Sequence, residues 1–211
     1  MTADVNGAGL LPLTQHFGSN PSAPWYYTGS ESVISIPGSN ITDWVLVELR
    51  QTPGGASDAT SATMVARRAG FILQNGSIVE IDGSSNLRIP AGIDQNLYLV
   101  LWHRNHLGIM SATPLLNTGE IYTWNFTVGA GQAFGGVSAL KDISPGNWGM
   151  KSGDGDGNEL IQDADKNDVW KSQSGMSGYK EGDFNLSGQV NNLDKNQKWL
   201  PNLGSGTFVP E

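Results

Sequence analysis

Carboxylate and amide side chains recur at alternate positions near the C-terminus. Asp154, Asp156, Asn158, Gln162 and Asp165 fall at positions 1, 3, 5, 9 and 12 of one stretch. Asp183, Asn185, Ser187, Asn191 and Asp194 fall at the same positions of a second stretch, 29 residues later. A hard divalent cation takes six to eight oxygens at about 2.3–2.6 Å, and a tight loop can aim alternate side chains at one point. Position 7 would add a main-chain carbonyl, from Leu160 in the first stretch and Gln189 in the second. The chemistry predicted is coordination of calcium, one ion in each of two loops. A lone Asp-x-Asp-x-Asn would equally be a solvated acidic surface loop. Two complete copies in register favour the metal.

The repeat extends past the ligands. Asp165-Lys166-Asn167-Asp168-Val169-Trp170 returns as Asp194-Lys195-Asn196-Gln197-Lys198-Trp199, and position 8 is β-branched in both copies, Ile161 and Val190. The expectation is that Ile161 and Val190 meet across a short two-stranded contact, with Trp170 and Trp199 buried against them from a short helix after each loop. Pro201 limits the second helix to roughly two turns. Position 6, where a sharp turn favours Gly, is Glu159 in the first loop and Gly188 in the second. The first loop has three carboxylates and the second two, so charge predicts tighter binding in the first.

Residues 150–203 or so resemble a dockerin module, with two EF-hand-type calcium loops that end in Asp rather than Glu and one helix after each. The resemblance implies a cohesin-like partner, met mainly through positions 10 and 11, often a Ser/Thr pair. Those positions are Asp163-Ala164 and Asn192-Leu193 here, a departure that points instead to a tail docked on its own neighbouring domain. Trp44-Val45-Leu46-Val47-Glu48-Leu49-Arg50 and Trp102-His103-Arg104-Asn105-His106-Leu107-Gly108-Ile109-Met110-Ser111 resemble the β-sandwich that precedes such tails in large secreted bacterial proteins. Those sandwiches are labelled haemagglutinin-like or lie beside polysaccharide-degrading modules. A secreted or cell-surface location is what the resemblance implies.

The residues of the N-terminal part support strands independently. In 43–51, Val45, Val47 and Leu49 share one face, while Trp44, Leu46, Glu48 and Arg50 form a more polar one. Phe71–Gln74 and Ser77–Ile81 flank Asn75-Gly76, which predicts a type I′ hairpin. Leu97–His103 and Leu107–Ala112 flank a second turn, and Glu120–Thr127 alternates again. Weaker strand signals lie at 10–14, 32–36, 63–68 and 86–89. Strands this short, separated by Gly, Pro, Asn and Ser, predict an antiparallel β-sandwich, Ig-like or jelly-roll-like, of roughly seven to nine strands. The predicted organisation is a mainly β chain. A sandwich spans 1–128, a Gly-rich linker 129–152, and a small helical calcium-binding module 153–211.

Other chemistry is thinner. His103 and His106 around Arg104 could converge on a metal or ligand, or serve as polar turn residues. Trp25, Tyr26 and Tyr27 follow a Pro-rich loop and could present flat faces to sugar rings. Glu48, Glu80 and Glu120 are not set at any separation that glycoside hydrolysis requires. There is no nucleophile elbow, phosphate loop or dinucleotide fingerprint, and the absence of cysteine removes thiolate chemistry and disulfides. No catalytic residue is expected.

All seven lysines lie at or beyond Lys141 and all five arginines lie before it, and the net charge is −8. An acidic chain without a basic stripe argues against nucleic-acid or anionic-membrane partners. No apolar run reaches spanning length, and Met1-Thr2-Ala3-Asp4 does not open a signal peptide. The function expected is a non-catalytic, calcium-stabilised accessory module that binds carbohydrate or a surface partner. The alternative is a structural or adhesin-type module whose tail packs on its own sandwich.

Overall fold

The computed structural model describes residues 2–211. The chain is mainly β, built on an antiparallel sheet. After the short helix α1 (Asp4–Gly7), the strands are β1 (Ile41–Thr52), β2 (Met64–Leu73), β3 (Ile78–Val79), β4 (Asn96–His103) and β5 (His106–Met110). They form one five-stranded sheet in the order β3-β2-β1-β4-β5, and its centre is the longest and most buried strand. Two separate hairpins follow, β6 (Leu116–Thr118) with β7 (Ile121–Thr123), and β8 (Leu140–Ser144) with β9 (Asn147–Met150).

Both faces of the sheet are buried. Trp44, Leu46, Phe71, Tyr98, Val100, Trp102 and Met110 form one core with Val5, Leu11, Phe17 and Trp25 of the N-terminal segment and Leu186 and Val209 of the tail. Val47, Leu49, Leu97, Leu101 and Ile109 form the other with Phe126, Ala133, Ala139 and Leu140. The face of β1 that reads as more polar is therefore interior. Glu48 is buried, and two arginines compensate its charge, Arg50 at 2.5 Å and Arg67 at 2.6 Å, with Trp102 Nε1 donating at 2.9 Å. A buried carboxylate persists only when paired and hydrogen-bonded in this way.

Several local expectations are corrected. At Asn75-Gly76 only Gly76 has positive φ (85°). Gly76 N–H donates to Leu73 O and Leu73 N–H to Ser77 O, each at 2.9 Å, which is a three-residue loop with a left-handed Gly and a bulge, not a type I′ turn. Of 120–127 only Ile121–Thr123 is strand, because Glu120 takes φ 66° and Phe126–Val128 forms a 3-10 turn. The 63–68 signal is the first half of β2, whereas 10–14 and 32–36 share a single bridge, Thr14 to Ser32. The 129–152 stretch, expected as a linker, holds β8 and β9 and buries Ala133, Ala139 and Leu140 against the sheet. Its glycines serve turns between packed segments. Among the described residues, no helix is long and apolar enough to cross a membrane.

Candidate metal centre

Asp154, Asp156 and Asp165 each bring an oxygen to within 4.8 Å of the other two, so that this group could hold a metal ion. Asp154 and Asp165 are buried and Asp156 half-buried. The loop's own amides hold the carboxylates in place. Gly155 and Gln162 N–H donate to the two oxygens of Asp165, both at 2.7 Å, and Asn158 and Glu159 N–H donate to the two oxygens of Asp154, both at 3.1 Å. The second stretch repeats the pattern. Asn185 and Asn191 N–H donate to Asp194 at 3.0 and 2.8 Å, and Ser187 and Gly188 N–H donate to Asp183 at 2.9 and 2.7 Å. Asn158 Oδ1 accepts from Leu160 N–H, and Asn185 Oδ1 from Ser187 N–H, each at 3.0 Å.

Burial pushes the carboxyls of Asp154, Asp156, Asp165, Asp183 and Asp194 above their ordinary range, well above it for Asp154, where the neighbouring Asp165 and Asp156 act in the same direction. These groups resist ionisation as long as no cation compensates them. A divalent ion reverses that preference, since carboxylate oxygens bind it only when deprotonated.

Two backbone positions in each loop are left-handed. At position 6 they are Glu159 (φ 70°) and Gly188 (φ 82°); at position 4 they are Gly157 (φ 70°) and Leu186 (φ 61°). Each loop has one glycine for two such positions, placed the opposite way round in the two copies. The strain expected at Glu159 is present, and Leu186 adds a second instance.

The copies clasp one another. Trp170 Nε1 donates to the position-9 carbonyl of the second loop, Asn191 O, at 2.8 Å, while Trp199 Nε1 donates to that of the first, Gln162 O, at 3.0 Å. Lys195 lies over the Trp170 ring and Lys166 over Trp199. The helices that carry these tryptophans, Asp165–Trp170 continued by Lys171–Gln173 and Asp194–Trp199 continued by Leu200–Asn202, follow each loop as expected.

The predicted contact between Ile161 and Val190 is corrected. Each pairs with the segment that follows the other copy's helix. Val190 N–H donates to Met176 O and Gly175 N–H to Val190 O, while Ile161 N–H donates to Ser205 O and Gly204 N–H to Ile161 O. Gly178 N–H to Gly188 O and Thr207 N–H to Glu159 O complete a third matched pair. These straps were legible, since Gly175 and Gly204 keep the 29-residue offset.

The other candidate residues lie elsewhere. Trp25 is buried, edge-on to Phe17 and against Gly157 of the first loop, where a Cβ would stand 2.9 Å from its ring. Tyr26 is exposed and Tyr27 half-buried; with Thr28, Met64 and Arg67 they line a shallow cleft of about 300 Å³. His103 and Arg104 are buried, and His106 is half-buried. Arg104 reaches the Lys180 carbonyl of the tail, His106 lies beside Phe184 and Leu186 at the edge of a cleft, and His103 points at Asp43. Asp43 Oδ2 receives Arg104 Nε at 3.1 Å and lies 3.2 Å from His103 Nε2, while Asp43 Oδ1 accepts from the Tyr179 hydroxyl at 2.6 Å. His16 Nδ1 lies 2.9 Å from that same hydroxyl. Asp43, Tyr179 and His16 carried no sequence signal, because only tertiary folding brings residues so far apart together. Comparison with known proteins found no matching family model, no matching curated protein and no matching solved structure.

Proposed function

We propose that residues 153–211 are a dockerin-like module binding two calcium ions, and that the chain is a non-catalytic, calcium-stabilised structural or interaction module of a secreted protein. The observation that carries this reading is the set of matched hydrogen bonds around Asp154/Asp165 and Asp183/Asp194, which hold ligand oxygens convergent in both copies. Asp154, Asp156, Asn158, Gln162, Asp165 and the Leu160 carbonyl would serve the first ion. Asp183, Asn185, Ser187, Asn191, Asp194 and the Gln189 carbonyl would serve the second. Oxygen-only donors at this number suit calcium better than zinc or copper, which favour nitrogen and sulfur. Isothermal calorimetry tests it. Two calcium ions should bind the wild type and one should bind Asp154→Ala/Asp165→Ala, with chelation lowering the melting temperature. Two ions on the double variant, or none on the wild type, would sink the reading.

The tail's position favours an internal scaffold over an outside partner, since its loops are engaged with the N-terminal segment through Asn20 and Trp25 and with the β4–β5 turn through Asn105. Carbohydrate binding is the second reading, and the Tyr26/Tyr27 cleft is the observation that favours it. Retention on insoluble polysaccharide that disappears in Tyr26→Ala would support it; no retention on any polysaccharide would leave the scaffold role alone. A cohesin-like partner would have to meet Asp163-Ala164 or the exposed Asn192-Leu193.

A further inference from the structure

The two-residue turn that joins β4 to β5, Arg104-Asn105, ends inside the protein, and Asn105 has no exposed surface. Every polar group of Asn105 but its N–H is committed. Its carbonyl accepts from Gly153 N–H at 3.0 Å, immediately before Asp154, the first ligand of the first loop. Its Nδ2 donates to Asp183 O at 2.9 Å and to Glu181 O at 3.0 Å, at the first ligand of the second loop and two residues before it. Its Oδ1 lies 2.8 Å from His106 Nδ1, which fixes the amide's orientation. One residue of the sheet thus stands where both loops begin.

The two attachments differ in kind. The first loop is held by the main chain of Asn105, which any substitution keeps. The second is held by its side chain. The second loop also has fewer carboxylates of its own, and its approach, 179–181, is tied to the sheet by Tyr179 on Asp43, Arg104 on the Lys180 carbonyl and Asn105 on Glu181 O. The first loop's approach is also tied beside this turn, but by main-chain bonding, Leu107 N–H to Lys151 O at 2.9 Å; its further ties, Asn20 Nδ2 to Asp156 O at 2.9 Å and the Trp25 ring on Gly157, come from the N-terminal segment.

We infer that Asn105 is a positioning residue of the second calcium loop, so that filling that loop and closing the tail onto the sheet are a single coupled equilibrium, which the first loop does not share. This rests on the calcium reading above. Partners that orient metal ligands from outside the coordination sphere typically change affinity by roughly tenfold to a hundredfold when removed. Coupling of this sort is reciprocal, so the ion must also tighten the turn.

The tryptophans make the test site-resolved. Trp170 touches the second loop, whereas Trp199 and Trp25 touch the first, so terbium luminescence in Trp25→Phe/Trp199→Phe reads the second loop and in Trp170→Phe reads the first. Asn105→Ala should weaken terbium at the second loop about tenfold or more and leave the first within about threefold. Equal weakening of both loops, or of neither, overturns the inference. Should Asn105→Ala fail to fold, hydrogen exchange on chains that keep Asn105 decides. Calcium should slow exchange at 103–106 in Asp165→Ala, where the second loop is intact, and much less in Asp194→Ala; the Leu107 amide, bonded to Lys151 O beside the first loop, is left out. Equal protection overturns it as well. A wild type that binds neither ion defeats the calcium reading itself, whereas two bound ions with an indifferent Asn105 defeats this inference alone.

Discussion

Glu159 and Leu186 both occupy left-handed backbone without being glycine, yet their replacement by Gly should have opposite signs. A Cβ in this region costs roughly 1–2 kcal/mol, and Gly gives back about half of the relief as unfolded-chain entropy. Glu159 is half-buried, and burial, then the nearby Glu211, pushes its carboxyl up to about 7. A carboxyl raised in the folded state contributes stability below its unfolded value of 4.5, and that contribution is lost as pH rises through 7. Glu159→Gly should therefore stabilise the chelated protein by about 0.5–1 kcal/mol, and by more at pH 8 than at pH 5. Leu186 is buried in the core under the sheet, so Leu186→Gly gives up a packed side chain and should destabilise by about 2 kcal/mol or more. Urea denaturation of both variants with chelator checks the signs; a stabilised Leu186→Gly would mean that backbone strain, not packing, dominates there. Position 6 was legible in the sequence because Glu stands where Gly is wanted. Position 4 was not, because nothing in an isolated Leu announces positive φ.

At the level of elements, periodicity succeeded where burial is one-sided or complete over many residues and failed where elements are short. The core of β1 was readable from 43–51, and the β4–β5 hairpin from its flanks. The inward burial of Glu48 and Arg50 was not, since a charged pair in a strand reads as a solvent face until Arg67 arrives from β2. The second half of 120–127 alternates as a strand would, but Asn125 turns the chain by accepting Thr127 N–H at 2.9 Å. The Asn75-Gly76 signal located the turn correctly and misassigned its type, because an Asn-Gly pair also suits a three-residue loop with only the Gly left-handed. Gly76→Ala should accordingly cost about 1 kcal/mol, and Asn75→Ala, which removes the 3.0 Å acceptance from Ser77 N–H, about the same. A type I′ turn would instead charge Asn75→Ala the additional strain of a second left-handed residue. Thermal melts of the two variants separate the turn types. In the tail, the 29-residue offset located the loops, the helices and the tryptophans. What it could not say was that each copy completes the other, since a repeat in one dimension carries no information on which copy a strap reaches.

For the whole molecule, the net charge of −8 conceals two opposed responses to acid. The loop carboxylates are raised in the folded state, so without metal they favour folding as pH falls. The cluster between sheet and tail acts the other way. The Arg104 guanidinium, with the His103 hydrogen bond assisting, outweighs burial and holds the Asp43 carboxyl well below its ordinary range, while burial lowers His16 to about 3. The geometry fits a neutral His16. The single phenolic hydrogen of Tyr179 serves Asp43, so His16 Nδ1 carries the hydrogen of its own pair, and its Nε2 is buried with no hydrogen-bond partner among the described residues. Both groups have depressed folded values. His16 therefore contributes stability above its unfolded value of 6.5, and loses it as pH falls from there toward 3; Asp43 follows below 3.8. His16→Gln, which cannot charge, isolates the first term, because the loop carboxylates are common to both proteins and cancel in the difference. Allowing for the solvent that reaches part of the half-buried residue, the wild type should lose on the order of 1–2 kcal/mol relative to His16→Gln between pH 7 and 4.5. The midpoint of urea unfolding at each pH, with chelator present throughout, gives that difference directly. A gap between the two proteins that stays constant across the range would mean that His16 is solvated and that the sheet–tail junction is not the closed, charge-intolerant contact described above.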